Sequence, residues 1–235
     1  MSLPSTIAVD GSAASGKSTI GGLLAERLGY LYFDTGALYR AITWLGLEKG
    51  LAIGDEEAIV ALAQAAQITI TRPTVQDGRQ YTVYADSRDI TWEIRSPEVD
   101  AHVSPVSAYP GVREALKAAQ RQIGEEGQVV MVGRDIGTVI MPHADLKIYL
   151  DASLEVRAQR RHKEILARGE EASFEDVLAD MRRRDEIDSH RLAAPLKPAE
   201  DAIIIDTDHL SIEEVLSQVM ALVEKWQPLE EGANR

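Results

Sequence analysis

The 235-residue chain contains no cysteine. Disulfides, thiolate zinc sites and thiol catalysis are therefore excluded. No apolar run approaches the length that crosses a bilayer, and the N-terminus lacks the apolar core of a signal peptide. The expectation is a soluble, cytoplasmic protein without a membrane partner. Positive charge is scarce: 25 Lys and Arg stand against 38 Asp and Glu, a formal net charge of −13. A protein that grips nucleic acid non-specifically carries a basic face, so no nucleic-acid partner is expected. Linkers, low-complexity tracts and internal repeats are also missing. With 45% hydrophobic residues, the chain can bury the core of one sizeable α/β domain carrying a small insert. If such an acidic chain handles phosphate, it must gather its arginines locally, and the second half shows arginine clusters.

What is present begins at the N-terminus. Thr6-Ile7-Ala8-Val9-Asp10 reads as a buried strand and residues 20–28 as an apolar helix. Between them lies Gly11-Ser12-Ala13-Ala14-Ser15-Gly16-Lys17-Ser18-Thr19, a G-x-x-x-x-G-K-S motif in strand–loop–helix context. Gly11 and Gly16 let the backbone curl close to a phosphate chain, and the inward N–H groups form an anion nest. The helix that starts near Lys17 adds its positive dipole end. Lys17 can reach the β- and γ-phosphates, and the Ser18 hydroxyl is placed to ligate Mg²⁺. The bland alternative is a Gly-rich turn, which the flanking strand and helix disfavour. The chain binds a nucleoside triphosphate on this reading.

Gly29-Tyr30-Leu31-Tyr32-Phe33 suits a second buried strand ending in Asp34-Thr35-Gly36-Ala37-Leu38-Tyr39-Arg40. Polar residues at the C-terminal end of a parallel strand meet ligand; Thr35 is also a candidate helix cap, and Arg40 alone would read as solvated. Residues 41–66 are mostly helical by pattern. Period-two alternation in Gln67-Ile68-Thr69-Ile70-Thr71-Arg72 and Gln80-Tyr81-Thr82-Val83-Tyr84-Ala85-Asp86, with Asp77-Gly78 between, predicts a small antiparallel sheet exposed on one face, an insert at about 68–91. Pro97 opens a helix. In the helix over about 111–124, Arg113, Lys117 and Arg121 share a face, and a solvated basic stripe accounts for Lys117 and Arg121. Gln128-Val129-Val130-Met131-Val132 is a strand ending in Gly133-Arg134-Asp135-Ile136-Gly137-Thr138, where an Arg–Asp pair is either a ligand group or a structural ion pair. Residues 146–151 and 202–206 supply the last strands. Arg157, Arg160 and Arg161 share one helix face, as do Arg184, Asp188 and Arg191. Residues 211–226 form an amphipathic closing helix, and the tail from 228 is expected to be disordered. Five strands alternating with helices give a doubly wound, five-stranded parallel sheet of the P-loop kinase type, with a small antiparallel β insert and a short helical lid.

The segments 34–40, 133–138, 150–153 and 184–196, together with the P-loop, resemble the bacterial cytidylate kinases of the nucleoside monophosphate kinase group. The similarity spans almost the whole chain as a single kinase domain. It implies ATP + CMP (or dCMP) ⇌ ADP + CDP (or dCDP) in pyrimidine nucleotide metabolism, with Mg²⁺, in a monomer. It further implies that residues 11–19 hold ATP, and that Arg40, Arg134 and Arg191 ground the α-phosphate of CMP. Thr35, Ser104, Arg113, Asp135, Arg184 and Asp188 would surround the base and sugar, with Arg184 and Asp188 reading the pyrimidine edge. Residues 37–107 would form the acceptor-binding segment and 153–172 the lid, whose Arg157, Arg160 and Arg161 close over ATP. Ser12 and Ala14 depart from the Pro and Gly frequent there; neither removes a phosphate ligand, because the loop binds through backbone N–H.

Such chemistry needs positioning and charge stabilisation rather than a strong base, since the acceptor oxygen is already anionic. Closure of lid and insert would keep the phosphoryl group from water. A GTPase-like switch is disfavoured: Asn234 is the only asparagine and no D-x-x-G occurs. A kinase for UMP or AMP remains as an alternative, against which the insert and the Arg184/Asp188 pair favour CMP. A structural ATP-binding protein without turnover is disfavoured by the two arginine sets.

Overall fold

The computed structural model describes residues 3–228. Beyond Pro228, the tail expected to be disordered lies outside the described residues. Strand β1 (Thr6–Gly11) runs into α1 (Lys17–Leu28), and β2 (Leu31–Asp34) follows. Helices α2 (Gly36–Glu48) and α3 (Glu56–Ala65) lead to the short strands β3 (Ile68–Thr71), β4 (Thr82–Ala85) and β5 (Arg88–Asp89). Helices α4 (Pro97–Ala108) and α5 (Pro110–Glu125) return the chain to β6 (Val129–Gly133) and β7 (Leu146–Asp151). Helices α6 (Leu154–Ala167) and α7 (Phe174–His190) pack against each other, and β8 (Ile203–Asp206) and α8 (Ile212–Lys225) complete the described chain.

The main sheet has the order β2-β6-β1-β7-β8, with every neighbouring pair parallel. Val9 sits opposite Val132 on one side and Ile148 on the other. After β1 the chain builds first one side of the sheet and then the other. The strand order therefore switches at β1, and ligands of open α/β sheets bind beyond the strand C-termini at such a point. Alternate β1 residues serve two cores. Ile7 and Val9 pack with Leu24 of α1 and Val219 of α8, whereas Ala8 joins Phe33, Ile42 and Val112 on the opposite face. Both faces are dry, so β1 and β6 read as continuous apolar runs, and each fully buried Val or Ile contributes about 2 kcal/mol.

The insert is the expected antiparallel sheet, β3-β4-β5, with Ile70 opposite Val83 and Tyr84 opposite Asp89. Val83 and Ala85 face the core that includes Ala41 and Leu45 of α2, while Thr69 is exposed. Helix starts follow their local chemistry: Ser96, Ser153 and Ser173 each accept from the N–H three residues on, and Ser211 forms a reciprocal capping box with Glu214. Thr35 departs from its expected cap role. Its backbone is already helical, and its hydroxyl donates to the Val132 carbonyl at 3.0 Å, tying the end of β2 to β6. Another feature absent from the sequence pattern is a π-helical turn at Ile136–Ile140, directly after Arg134-Asp135.

Candidate active site

The P-loop follows β1 at the switch point. A Cβ on Gly11 would stand 2.3 Å from the Leu150 carbonyl oxygen, so only glycine lets the loop turn there against β7. Gly16, at φ 95°, sets the left-handed entry to α1. That helix has no side-chain cap and no acidic residue in its first turn, unlike α3, α4 and α8. Its first N–H groups and dipole end are thus left for an anion. Ala14 takes φ 58°, a left-handed conformation unfavourable for alanine. Lys17 folds back, Nζ donating to the Ser12 carbonyl at 2.8 Å. Burial, and then the charge of Arg134, push the Lys17 ammonium down to about 7. A phosphate beside it would reverse that penalty.

The loop opens into a cavity of about 660 Å³. Ala13 to Thr19 line one part; Arg40 of α2, Arg134 after β6, Arg184 of α7, and Arg160 and Arg161 of α6 line the rest. Asp34 also faces it: Oδ1 accepts from the Gly36 N–H at 2.9 Å, and Oδ2 lies 3.3 Å from the Ser18 hydroxyl that donates to it. Strands β1, β2, β6 and β8 end at the same side of the sheet, which brings Lys17, Asp34, Arg134 and Thr207 to one cavity. Gly11, Ser12, Thr35, Ser104, Arg113, Asp135, Arg157, Asp188 and Arg191 do not line this cavity.

Several of these form a charge network behind it. Arg134 donates through Nε to Asp188, whose other oxygen is 3.9 Å from Arg191. Arg191 is 3.6 Å from Asp135, and Asp135 in turn accepts from Arg113, which also stacks over the Tyr39 ring at 5.3 Å. Asp188 dominates the upward shift of Arg134, while burial and then Arg113 lower Arg191. One Arg191 nitrogen, Nη2, is buried without a hydrogen-bond partner. Arg113 thus turns inward, while Lys117 and Arg121 on the same helix face stay nearer solvent. Ser104 is buried on α4, and Thr35 lies against Gly133, whose Cβ would meet its hydroxyl at 2.6 Å. Asp10 secures the π-helical turn: its carboxylate accepts from the Ile136 and Gly137 N–H groups, each at 2.8 Å.

The family model described as cytidylate kinase matches residues 7–225. The chain is 54% identical to the cytidylate kinase of Herpetosiphon aurantiacus, across 95% of this chain and 96% of that one. It is 50% identical to the cytidylate kinase of Chloroflexus aggregans, across 99% and 100%, and 48% identical to that of a Geobacillus species, across 92% and 95%. The chain belongs to the cytidylate kinase family.

For this member of the cytidylate kinase family, the geometry separates the three α6 arginines. Arg160 reaches across the cavity to Thr207, its Nη1 donating to the hydroxyl at 3.0 Å and Nη2 to the carbonyl at 2.5 Å. Arg161 turns to Asp100 of α4 and to Glu164. Arg157, with a side chain 5% exposed, points away into Asp185. Cavity residues that the motifs do not mark include Arg95, Asp100, Arg168 and Thr207, and the apolar Leu210 and Ile212. Thr207 had a signal: it follows the C-terminal end of β8, where ligand groups gather in such sheets. No helix among the described residues is long and apolar enough to cross a membrane.

Proposed function

We propose that the chain transfers the γ-phosphoryl group of ATP to CMP or dCMP, giving ADP and CDP or dCDP. The observation that carries this reading is the single cavity onto which Lys17 and the open N-terminus of α1 converge with Arg40, Arg134, Arg160, Arg161 and Arg184. Two anionic substrates need several cations, and this cavity gathers them in a chain of net charge −13.

Residues 11–19 hold the donor phosphates through backbone N–H, with Lys17 on the β- and γ-oxygens. Leu210 and Ile212 supply an apolar surface in the same cavity for the adenine ring. Arg40 and Arg134 on the cavity wall, with Arg191 in the charge network behind it, ground the acceptor phosphate. Arg184 on the cavity wall, with Thr35, Ser104, Arg113, Asp135 and Asp188 buried behind it, would enclose cytosine and sugar. Residues 37–107, including the insert at about 68–91, form the acceptor-binding segment, and 153–172 the lid.

The Ser18 hydroxyl and the Asp34 carboxylate are hard oxygen donors 3.3 Å apart, which suits Mg²⁺. No group of three or more His, Cys, Asp or Glu among the described residues could hold a metal. Ser18 and Asp34 would hold the ion together with oxygen donors from outside the protein. When bound, Mg²⁺ neutralises charge on the β- and γ-phosphate oxygens.

The acceptor oxygen is anionic, so no residue needs to remove a proton. Lys17 and Arg134 neutralise the charge spread over the transferring group, Arg160 and Arg161 close from α6, and alignment of the two phosphates supplies the rate. Release of ADP from MgATP and CMP tests this. Lys17→Ala is expected to fold and lose turnover by about a hundredfold or more; normal turnover in that variant would remove the P-loop assignment.

A further inference from the structure

Among the described residues, Asp100 is the acidic side chain on which arginines from separate parts of the cavity meet. Oδ1 accepts from Arg40 Nη2 at 2.6 Å, Oδ2 accepts from Arg161 Nη2, and the Asp100 main-chain oxygen accepts from Arg184 Nη2. The three arginines come from α2, α6 and α7, and all line the cavity together with Asp100.

An acidic residue in the first turn of a helix has an ordinary explanation in the helix dipole. Glu98 serves that purpose on the same turn and is exposed, whereas the Asp100 side chain is only 14% exposed and turned toward the cations. Burial would raise its carboxyl, yet the charges of Arg40 and Arg161 overcome this and hold it below the usual carboxylate range. Arg184 is pushed down by burial and by Arg40, Arg134 and Arg161, with Asp100 opposing. The arginines repel one another, and Asp100 is the anion that makes their proximity tolerable.

A phosphate offers several acceptor oxygens to several guanidinium groups at once; Asp100 offers three oxygens to three arginines in the same cavity. We propose that Asp100 is an internal stand-in for substrate phosphate, a positioning residue that holds Arg40, Arg161 and Arg184 together and whose carboxylate competes with incoming phosphoryl groups for Arg40 and Arg161. The proposal rests on the phosphoryl-transfer reading. Each substrate that docks takes donors from Asp100, and each product leaves partly because Asp100 reclaims them.

Calorimetric titration of inorganic phosphate into wild type, Asp100→Asn and Asp100→Ser reads the competition directly. Phosphate is expected to bind both variants about tenfold more tightly, a change of ~1.4 kcal/mol, the scale of one charge-assisted hydrogen bond released. In ADP-release kinetics, KM for CMP is expected to fall about fivefold or more, and kcat to fall with it because products are held longer. A carboxylate that merely ties α4 to α6 predicts the reverse: phosphate affinity unchanged or weaker, and KM unchanged or higher. Either of those results overturns the proposal, as does failure of both variants to fold. Wild-type turnover with CMP in the same series keeps the two readings apart. Its absence removes the kinase reading, while tighter phosphate in the variants still supports the role of Asp100.

Discussion

Arg157 on α6 grips Asp185 on α7 with both terminal guanidinium nitrogens, at 3.1 and 2.5 Å. Its Nε donates to the Ala152 carbonyl at 2.9 Å and its Nη1 to the Ala13 carbonyl at 3.3 Å. One side chain therefore fastens the two helices to each other and to the P-loop. Arg157→Ala is expected to destabilise the fold by about 2–3 kcal/mol, less than a fully buried pair because Asp185 is 26% exposed. Arg160→Ala, on the cavity, is expected to cost less than about 1 kcal/mol of stability but about a hundredfold in turnover. Urea unfolding and ADP release on both variants check this; the opposite pattern would reverse the roles.

Asp10 gives a pH signature. Burial raises its carboxyl from 3.8 to about 6, against the Gly137 and Ile136 N–H groups that lower it. The folded chain then holds a proton that the unfolded chain has released. The stabilisation is full below about 3.8 and lost as pH rises through about 6. Lowering pH from about 7 to 5 is therefore expected to stabilise wild type relative to Asp10→Asn by about 1 kcal/mol. Urea midpoints at the two pH values measure it; a parallel pH response in both proteins would contradict it.

Ala14 at φ 58° carries a local cost in the P-loop. A left-handed alanine costs about 1–2 kcal/mol, and the extra chain entropy of glycine takes back about 0.5–1. Ala14→Gly is expected to stabilise by about 0.5 kcal/mol, and Ala14→Val to destabilise. A stability loss in Ala14→Gly, read by urea unfolding, would show that another contact of the methyl group outweighs the backbone.

The P-loop, the parallel sheet and the insert were legible because each rests on local chemistry: glycines that permit a curl, apolar runs, period-two alternation between turns. Arginine roles were less so. Arg157, Arg160 and Arg161 are one face in sequence, but α7 packs on that face and takes Arg157 for Asp185. Arg113 shares a helix face with Lys117 and Arg121 in sequence, and only the fold shows that it turns inward to Asp135 after β6. Asp100 reads as an ordinary first-turn acid, because its three arginine partners lie 60, 61 and 84 residues away. The π-helical turn after Asp135 depends on Asp10, 126 residues earlier. Cross-sheet pairing of charges leaves no periodic trace.

Asp188, with a side chain 3% exposed, faces both Arg134 and Arg191. Its carboxylate is therefore held by Arg134 of the cavity wall, on the side proposed for the acceptor. Asp188→Ala is expected to weaken CMP about a hundredfold, the scale of a lost charged hydrogen bond, and ATP by less than about threefold. Equilibrium titration of each nucleotide separates the two. Equal losses would take Asp188 out of acceptor recognition.

The most direct test of the account is ADP release with MgATP and, in parallel, CMP, dCMP, UMP, AMP and GMP. The base-reading role proposed for Arg184 and Asp188 predicts fast turnover with CMP and dCMP and poor turnover with the other three. Comparable efficiency with UMP or AMP would contradict the assignment of the acceptor site, and no turnover with any acceptor would contradict phosphoryl transfer itself.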